Sequence, residues 1–164
     1  MRIAMIGTGY VGLVSGACFA EFGLDVVCVD KDEAKIWTLR EGRIPIHEPG
    51  LDALVATHQA GGRLSFTTSL AEAIDGAEAV FIAVGTPTRR GDGHADLTYV
   101  FAAAEEIAAG LKHPTVVITK STVPVGAGRK LQRLFAAQRP DLAVDVASNP
   151  EFRKRRLSDT LRLS

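Results

Sequence analysis

Three glycines near the start of the chain have the spacing of a phosphate-binding turn. Gly7, Gly9 and Gly12 enclose Thr8, Tyr10 and Val11 in a Gly-x-Gly-x-x-Gly pattern between an apolar run and a segment of helical periodicity. The first glycine permits a tight bend, the second lets the backbone approach a pyrophosphate, and the third lets helix and strand pack closely. Free N–H groups at a helix N-terminus favour negative charge. The pattern therefore predicts a dinucleotide site at these residues.

An acidic residue follows at the distance that such a site requires. Asp30 lies 18 positions after Gly12, at the end of the next apolar run. Its carboxylate can accept hydrogen bonds from both ribose hydroxyls and would repel a 2′-phosphate, which favours NAD over NADP. The neighbouring Lys31 and Lys35 keep NADP open as an alternative. In the purely structural alternative, the glycines only shape a turn and Asp30 only caps the helix that starts near Asp32.

Small polar residues follow three later apolar runs. These are Gly85, Thr86, Pro87 and Thr88, then residues 121–126 (STVPVG), then residues 148–151 (SNPE). Ligands of open α/β sheets lie beyond the carboxyl ends of the strands, so these positions are candidate site residues. Helix capping is the alternative for Ser121 and Thr122, since Pro124 suits a first helical turn. Glu151 has a similar alternative, as an acidic residue in the first turn of a helix.

No segment has the pattern of a metal site. The loop at residues 91–96 (GDGHAD) lacks the spacing of a calcium loop, so we predict a flexible loop with Asp96 as the N-cap of the next helix. His94 is then a solvated loop side chain. Cys18 and Cys28 fall inside apolar segments, which predicts buried core thiols without a metal or redox role.

The elements that must position these residues alternate along the chain. Short apolar runs bounded by turn residues predict strands, and segments of helical period separate them. The predicted strands are 2–6, 25–30, 64–67, 79–84, 115–120 and 142–147, and the predicted helices are 10–22, 32–40, 49–60, 69–74, 97–111 and 125–138. Nearly unbroken apolar strands are typical of a sheet that is covered on both faces. The sequence thus predicts an α/β fold, a Rossmann-type doubly wound and mostly parallel sheet of about six strands with helices on both faces.

Composition and charge narrow the classes of function. The 164 residues are 46% hydrophobic and suffice for one domain. Because the last twelve residues hold five basic and one acidic side chain, residues 1–152 carry 14 basic and 18 acidic residues, a net charge of −4. That sign argues against nucleic acid as a partner. The first apolar run is too short for a signal peptide or a membrane span, so we expect a cytoplasmic protein without a membrane partner.

Six separated segments together resemble a known family. They are 5–12 (MIGTGYVG), 30–36 (DKDEAKI), 45–51 (PIHEPGL), 84–95 (VGTPTRRGDGHA), 120–126 (KSTVPVG) and 148–152 (SNPEF). In this order they are similar to the UDP-glucose/GDP-mannose dehydrogenase family, and within it to the UDP-glucose 6-dehydrogenases. The resemblance covers residues 1–152, which we expect to form an NAD-binding domain.

The resemblance implies a reaction and a set of site residues. The reaction is an NAD-dependent oxidation of UDP-glucose to UDP-glucuronate by two hydride transfers, through a cysteine thiohemiacetal and thioester. Thr122 would help to hold the catalytic water, Glu151 would be the general base, and Glu151 and Phe152 would contact substrate. The residues implied to bind NAD are Gly7, Gly9, Tyr10, Val11, Gly12, Asp30, Lys35, Gly85, Thr86, Pro87, Ser121 and Thr122.

The sequence departs from the family pattern after Phe152. Residues 153–156 are Arg-Lys-Arg-Arg, which puts Arg155 where the family has a glutamate. We expect residues 153–164 to be an aberrant, disordered basic tail, produced by a one-base frameshift or by deliberate shortening. The central helix, the UDP-binding domain and the catalytic cysteine are then absent. We therefore expect a truncated chain that is inactive alone and monomeric, although full-length members form homo-oligomers.

Two alternatives remain open for the function. The chain could derive from a GDP-mannose 6-dehydrogenase, or it could be a non-catalytic NAD-binding module. A short-chain epimerase or reductase would need a Tyr-x-x-x-Lys pair, and neither Tyr10 nor Tyr99 has a lysine four residues later.

Overall fold

The computed structural model describes residues 1–89, 91 and 93–149. The strands are β1 (Arg2–Ile6), β2 (Asp25–Val29), β3 (Leu64–Thr67), β4 (Ala79–Ile82), β5 (Thr115–Thr119) and β6 (Val144–Ser148). The helices are α1 (Tyr10–Glu21), α2 (Glu33–Arg40), α3 (Leu51–Ala60), α4 (Leu70–Ile74), α5 (Thr98–Gly110) and α6 (Ala127–Gln138). The predicted alternation of strands and helices is therefore confirmed.

The six strands form one parallel sheet in the order β3-β2-β1-β4-β5-β6. The chain moves outward from β1 to β3, then returns past β1 and continues outward through β4 to β6. This reversal places a crevice between β1 and β4, where ligands of doubly wound sheets bind. The register aligns Ile6 with Val29 on one side and with Ile82 on the other. The residues that follow these three strands consequently meet at one edge.

Helices cover both faces of the sheet. Ala4 and Ile6 of β1 belong to a core cluster with residues of α4, α5 and α6, whereas Ile3 and Met5 belong to a second cluster with residues of α1, α2 and α3. Alternate side chains of a strand point to opposite faces, so β1 is buried on both sides. This explains the unbroken apolar sequence of residues 3–6 and confirms the predicted fold class.

Some sequence predictions need correction. Cys18 is exposed on α1, although Cys28 is buried as predicted. Ser121 and Thr122 do not cap α6, because Gly126 is its N-cap and five residues separate Ser121 from the first helical residue. The boundary predicted after residue 152 and the tail at 153–164 lie outside the described residues.

Within the part of the chain that the structure describes, none of the helices has the length and apolar character needed to cross a bilayer. The expected cytoplasmic location stays a prediction.

Candidate cofactor site

A cavity of about 470 Å³ lies at the carboxyl ends of β1, β2 and β4. Its wall includes the glycine turn, the residues after β2, the start of the β4 loop and one face of α5. The lining residues are Ile6, Gly7, Gly9, Val29, Asp30, Lys31, Lys35, Thr68, Leu70, Ala83, Val84, Gly85, Tyr99, Ala102, Ala103 and Glu106. The cavity therefore occupies the crevice that the strand order creates, and it contains the predicted turn and acid together.

Two glycines of the turn are required by the fold itself. Gly7 has φ of +101°, and a Cβ there would lie 2.8 Å from the carbonyl oxygen of Ala83. A Cβ on Gly12 would lie 1.9 Å from the carbonyl oxygen of Gly7. Any larger residue at either position would collide with backbone, which cannot move aside as a side chain can. Their predicted roles in bending and close packing agree with this geometry.

Gly9 differs from these two because no contact among the described residues requires a glycine there. Its φ of −71° and ψ of −172° are accessible to any residue. A Cβ on Gly9 would have no atom of residues 1–89, 91 or 93–149 within 4 Å. Gly9 is the N-cap of α1, which has neither a side-chain cap nor an acid in its first turn. An open space thus adjoins a helix N-terminus that favours an anion.

Asp30 is held in place by a network of donors. Its Oδ2 accepts from the Thr8 N–H at 2.9 Å and from the Thr8 hydroxyl at 2.7 Å. The same oxygen is 3.0 Å from Lys35 Nζ, and Oδ1 accepts from the Asp32 N–H at 3.1 Å. The Asp30 side chain is only 17% exposed. The carboxylate is therefore preorganised at the end of β2.

These contacts lower the pKa of Asp30. Burial raises the pKa, but hydrogen bonds from the Thr8 backbone and hydroxyl, from the Asp32 N–H and from Lys35 outweigh it, so that the pKa falls from 3.8 to about 2. Asp30 is thus ionised at neutral pH. An anionic acceptor at this edge suits ribose hydroxyls and opposes a phosphate.

The network restricts how Asp30 can bind a ribose. Oδ2 already receives three donors, whereas Oδ1 receives one. Because a carboxylate oxygen offers about two lone-pair sites, Oδ1 can accept one ribose hydroxyl, whereas the two bonds from Thr8 would fill the sites of Oδ2 even if Lys35 moved away. The predicted bidentate contact with both hydroxyls remains a prediction.

The structure adds residues that the sequence reasoning missed. Thr8 was considered only as a spacer within the glycine turn, yet it is 1% exposed and bound to Asp30. Tyr99, Ala103 and Glu106 line the cavity from α5. Their spacing of four and three residues places them on one face of the helix. This periodicity is the sequence pattern from which their common position could have been predicted. Glu106 also pairs with Lys31, which lies after β2.

The predicted residues after β4 and β5 lie beside the same crevice. Gly85 lines the cavity, and Ser121 Oγ donates to the carbonyl oxygen of Val84 at 2.7 Å. This bond ties the end of β5 to the end of β4. Thr86 is half-buried and Thr122 is exposed, so the Thr122 side chain is accessible to a ligand. Pro87 and Val11 are also at least partly exposed.

Two further predicted positions have specific contacts. The Tyr10 hydroxyl donates to the Glu48 carboxylate at 2.8 Å, which joins the glycine turn to the segment before α3. Asp96 accepts from the Thr98 N–H at 3.0 Å, although the N-cap of α5 is Leu97, one residue later than predicted. Asp96 therefore binds the first residue of α5 from the position just before the N-cap.

At the end of β6, the Asn149 N–H donates to the Thr119 carbonyl oxygen at 2.9 Å, and Lys120 Nζ is 3.2 Å from Asn149 Oδ1. The polar residues after β5 and β6 are therefore brought together as expected. Glu151 and Phe152 lie outside the described residues. Among the residues that are described, no cluster of three or more potential metal ligands occurs.

Comparison with known proteins gives consistent matches. The model of the UDP-glucose/GDP-mannose dehydrogenase family, NAD binding domain, matches residues 1–160. A UDP-glucose 6-dehydrogenase of Rhizobium meliloti (strain 1021) is 64% identical over 93% of this chain and 35% of its own length. The UDP-glucose 6-dehydrogenase TuaD of Bacillus subtilis (strain 168) is 52% identical over 92% of this chain and 33% of its own. The chain spans about a third of the length of these relatives.

Solved structures agree with the sequence matches. A UDP-glucose dehydrogenase from Pyrobaculum islandicum has a TM-score of 0.86 and 41% identity, over 92% of this chain and 36% of its own. A GDP-mannose dehydrogenase from Pseudomonas aeruginosa has a TM-score of 0.87 and 34% identity, over 93% and 36%. Both similarities extend over nearly the whole chain.

Proposed function

Because the chain belongs to the UDP-glucose/GDP-mannose dehydrogenase family and matches the NAD-binding domain of that family, we propose that it supplies the NAD site for the oxidation of UDP-glucose to UDP-glucuronate. The cofactor is NAD. The cavity between β1 and β4 is the place where it would bind. The activity of a complete dehydrogenase would need further residues, since the chain covers 35% of the relative from Rhizobium meliloti.

The open space at Gly9 is the observation that carries this proposal. Gly7 and Gly12 are explained by contacts within the protein, whereas a Cβ on Gly9 would meet no atom within 4 Å in the part of the chain that the structure describes. A ligand that approaches the backbone closely accounts for the missing side chain. The helix N-terminus behind Gly9 indicates that the approaching group is anionic, as a pyrophosphate is.

The remaining residues orient the two ends of the cofactor. Asp30 Oδ1 would accept from the adenosine ribose, while the apolar face of α5 at Tyr99, Ala102 and Ala103 would contact the adenine. The bound nicotinamide would accept hydride from the sugar. Thr122 and Glu151 are proposed to orient and deprotonate the water of the hydrolytic step, because a hydroxyl and a carboxylate suit these roles.

We further propose that this chain does not complete the reaction alone. The reaction implied by the family uses a cysteine nucleophile, and a reactive cysteine must be an accessible thiolate. Burial raises the pKa of Cys28 to about 12. Cys18 is exposed on α1 but does not line the cavity. Neither thiol therefore has both the position and the ionisation that the step requires.

UDP-glucose is favoured over GDP-mannose as the substrate of the whole enzyme. The relatives at 64% and 52% identity are named UDP-glucose 6-dehydrogenases, whereas the GDP-mannose dehydrogenase structure is 34% identical. A GDP-mannose dehydrogenase remains the second candidate because its fold is equally similar. Homo-oligomer formation stays a prediction.

Calorimetric titration with NAD tests the proposed site. Gly9→Ala should still fold, with a melting temperature that falls only slightly because alanine is a poorer N-cap residue than glycine. It should lose NAD binding, because its methyl group would occupy the space for the pyrophosphate. Gly61→Ala adds the same group at the end of α3, outside the cavity, and should bind NAD normally. Undiminished binding by Gly9→Ala would contradict the proposal. NADH formation by the purified chain with UDP-glucose would contradict the proposed inactivity.

A further inference from the structure

Two lysines flank the ribose end of the cavity, and each is paired with a carboxylate. Lys35 Nζ lies 3.0 Å from Asp30 Oδ2. Lys31 Nζ pairs with Glu106 Oε1, which belongs to α5 on the other side of the cavity. All four residues line the cavity. The two carboxylates cancel the charges of the two lysines, so these four side chains give the ribose end of the cavity no net charge.

The two pairs differ in burial and therefore in how tightly they are held. The side chains of Lys35 and Asp30 are 32% and 17% exposed. The side chains of Lys31 and Glu106 are 81% and 43% exposed. Solvent screens the outer pair strongly, so its contribution to stability is small. In this structure the Lys31 ammonium lies beside Glu106, on the α5 side of the cavity.

We propose that the ribose end is a latent 2′-phosphate site, in which Lys31 and Lys35 are the cations for NADP, and Asp30 and Glu106 suppress its use. Glu106 is then a specificity-determining residue in addition to Asp30. The inference rests on the proposed NAD site and extends it from the cofactor class to the origin of its selectivity. The ligand class is an adenosine that carries a phosphate on its 2′-oxygen.

The physical argument follows from charge. A 2′-phosphate carries a charge of about −1.5 to −2 at neutral pH and would be placed beside the carboxylate of Asp30. Neutralising Asp30 removes this repulsion and also releases Lys35 to bind the phosphate. Neutralising Glu106 releases Lys31, which is long enough and exposed enough to turn towards the ribose. With both acids neutral, the edge carries two free cations opposite one phosphate.

Binding of NADH and NADPH by fluorescence titration measures the selectivity. Glu106→Gln should tighten NADPH binding about threefold, the scale of one solvent-screened ion pair, and should leave NADH binding within about twofold. Asp30→Asn should weaken NADH binding about tenfold, because a charged acceptor for the ribose is lost. It should tighten NADPH binding about tenfold, because the repulsion of the 2′-phosphate is removed. The double variant should prefer NADPH, and added NaCl should weaken that binding.

Matched variants separate this inference from general effects of charge. Glu105→Gln removes the same charge from an exposed neighbouring position of α5 that does not line the cavity, and it should leave both dissociation constants unchanged. Adding Lys31→Met or Lys35→Met to the double variant should remove the gain in NADPH binding. Asp30→Asn could fail to fold, but Glu106→Gln alters only an exposed pair and still tests the inference.

The outcomes distinguish the inference from the proposed function. If the unaltered chain binds NADH and Glu106→Gln does not change the ratio of the two dissociation constants, the latent site is refuted and the NAD site stands. A gain in NADPH binding that survives Lys31→Met and Lys35→Met would also refute it. If the unaltered chain binds neither cofactor, the proposed function itself fails.

Discussion

Replacing Thr8 with valine would remove one hydroxyl from the base of the cofactor cleft. Valine keeps the branched shape, and residue 8 keeps its backbone N–H, so one of the two bonds from this residue to Asp30 survives. The lost bond is the 2.7 Å contact between Thr8 Oγ1 and Asp30 Oδ2. Thr8 is 1% exposed, so water cannot easily replace its hydroxyl.

The size of the effect follows from the pKa of Asp30. A fall from 3.8 to about 2 corresponds to roughly 2 to 3 kcal/mol of stabilisation at neutral pH. Four hydrogen-bond donors produce this stabilisation and also offset the cost of burying the carboxylate. The share of the Thr8 hydroxyl is about 1 kcal/mol, the typical value for one hydrogen bond. Thr8→Val should therefore lower the free energy of unfolding by about that amount. NAD affinity should fall about fivefold because the carboxylate is less firmly oriented.

The same change has a defined pH dependence. The folded-state pKa of Asp30 lies below its unfolded value of about 3.8, so the stabilisation is complete above that value and is lost as the pH falls towards about 2. In Thr8→Val the folded-state pKa rises and the pH-dependent part of the stabilisation becomes smaller. The ¹³C chemical shift of the Asp30 carboxyl reports the pKa, and urea denaturation at pH 7 and pH 3 reports the stability.

Thr8→Ser is the matched control, since it restores the hydroxyl and should recover both the low pKa and the affinity. In an Asp30→Asn background, Thr8→Val should have a smaller effect on NAD binding, because its charged acceptor is gone. The reasoning is refuted if Thr8→Val leaves the pKa of Asp30 and the NAD affinity unchanged, or if Thr8→Ser behaves like Thr8→Val.

Three further predictions test the packing around the cleft. Gly12→Ala should destabilise the fold by at least about 3 kcal/mol in thermal denaturation, because its Cβ would lie 1.9 Å from the Gly7 carbonyl oxygen; a normal melting temperature would contradict this geometry. A thiol reagent should modify exposed Cys18 quickly and buried Cys28 only after denaturation. Rapid modification of both cysteines in the folded protein, detected by mass spectrometry, would contradict this prediction. Ser121→Ala should lower the free energy of unfolding by about 1 kcal/mol, since it removes the 2.7 Å hydrogen bond from Ser121, after β5, to Val84, after β4; an unchanged urea midpoint would disprove this.

Much of the fold could be predicted because its signals are local. The apolar runs at residues 3–6 and 79–82 are unbroken in the sequence, and both belong to strands that are central in the sheet. Such runs are expected where both faces are covered. The roles of Gly7 and Gly12 could also be predicted, because the positive φ of Gly7 and the close approach of Gly12 to the Gly7 carbonyl oxygen belong to the turn itself. The contact between Gly7 and Ala83 involves a distant segment and could not be predicted.

Other features could not be predicted because they depend on contacts between distant segments. Thr8 and Asp30 are 22 positions apart, and Lys31 and Glu106 are 75 positions apart. A hydroxyl or a lysine has many possible partners, and only the register of β1 against β2 and the docking of α5 select one. The error at Cys18 has the same origin, because an apolar neighbourhood in the sequence does not tell which face of α1 meets the sheet.

Local sequence patterns are enough to predict the parallel α/β fold, the glycine turn and an acidic residue at the end of β2, since each depends on residues that are close together in the chain. Contacts between distant segments specify the other features: a Cβ on Gly9 would meet no atom of the described residues within 4 Å, Thr8 holds Asp30, and Glu106 reaches Lys31 across the cavity. These facts concern the distances between side chains of different elements. Such distances are set by how the helices pack on the sheet, which local patterns do not specify.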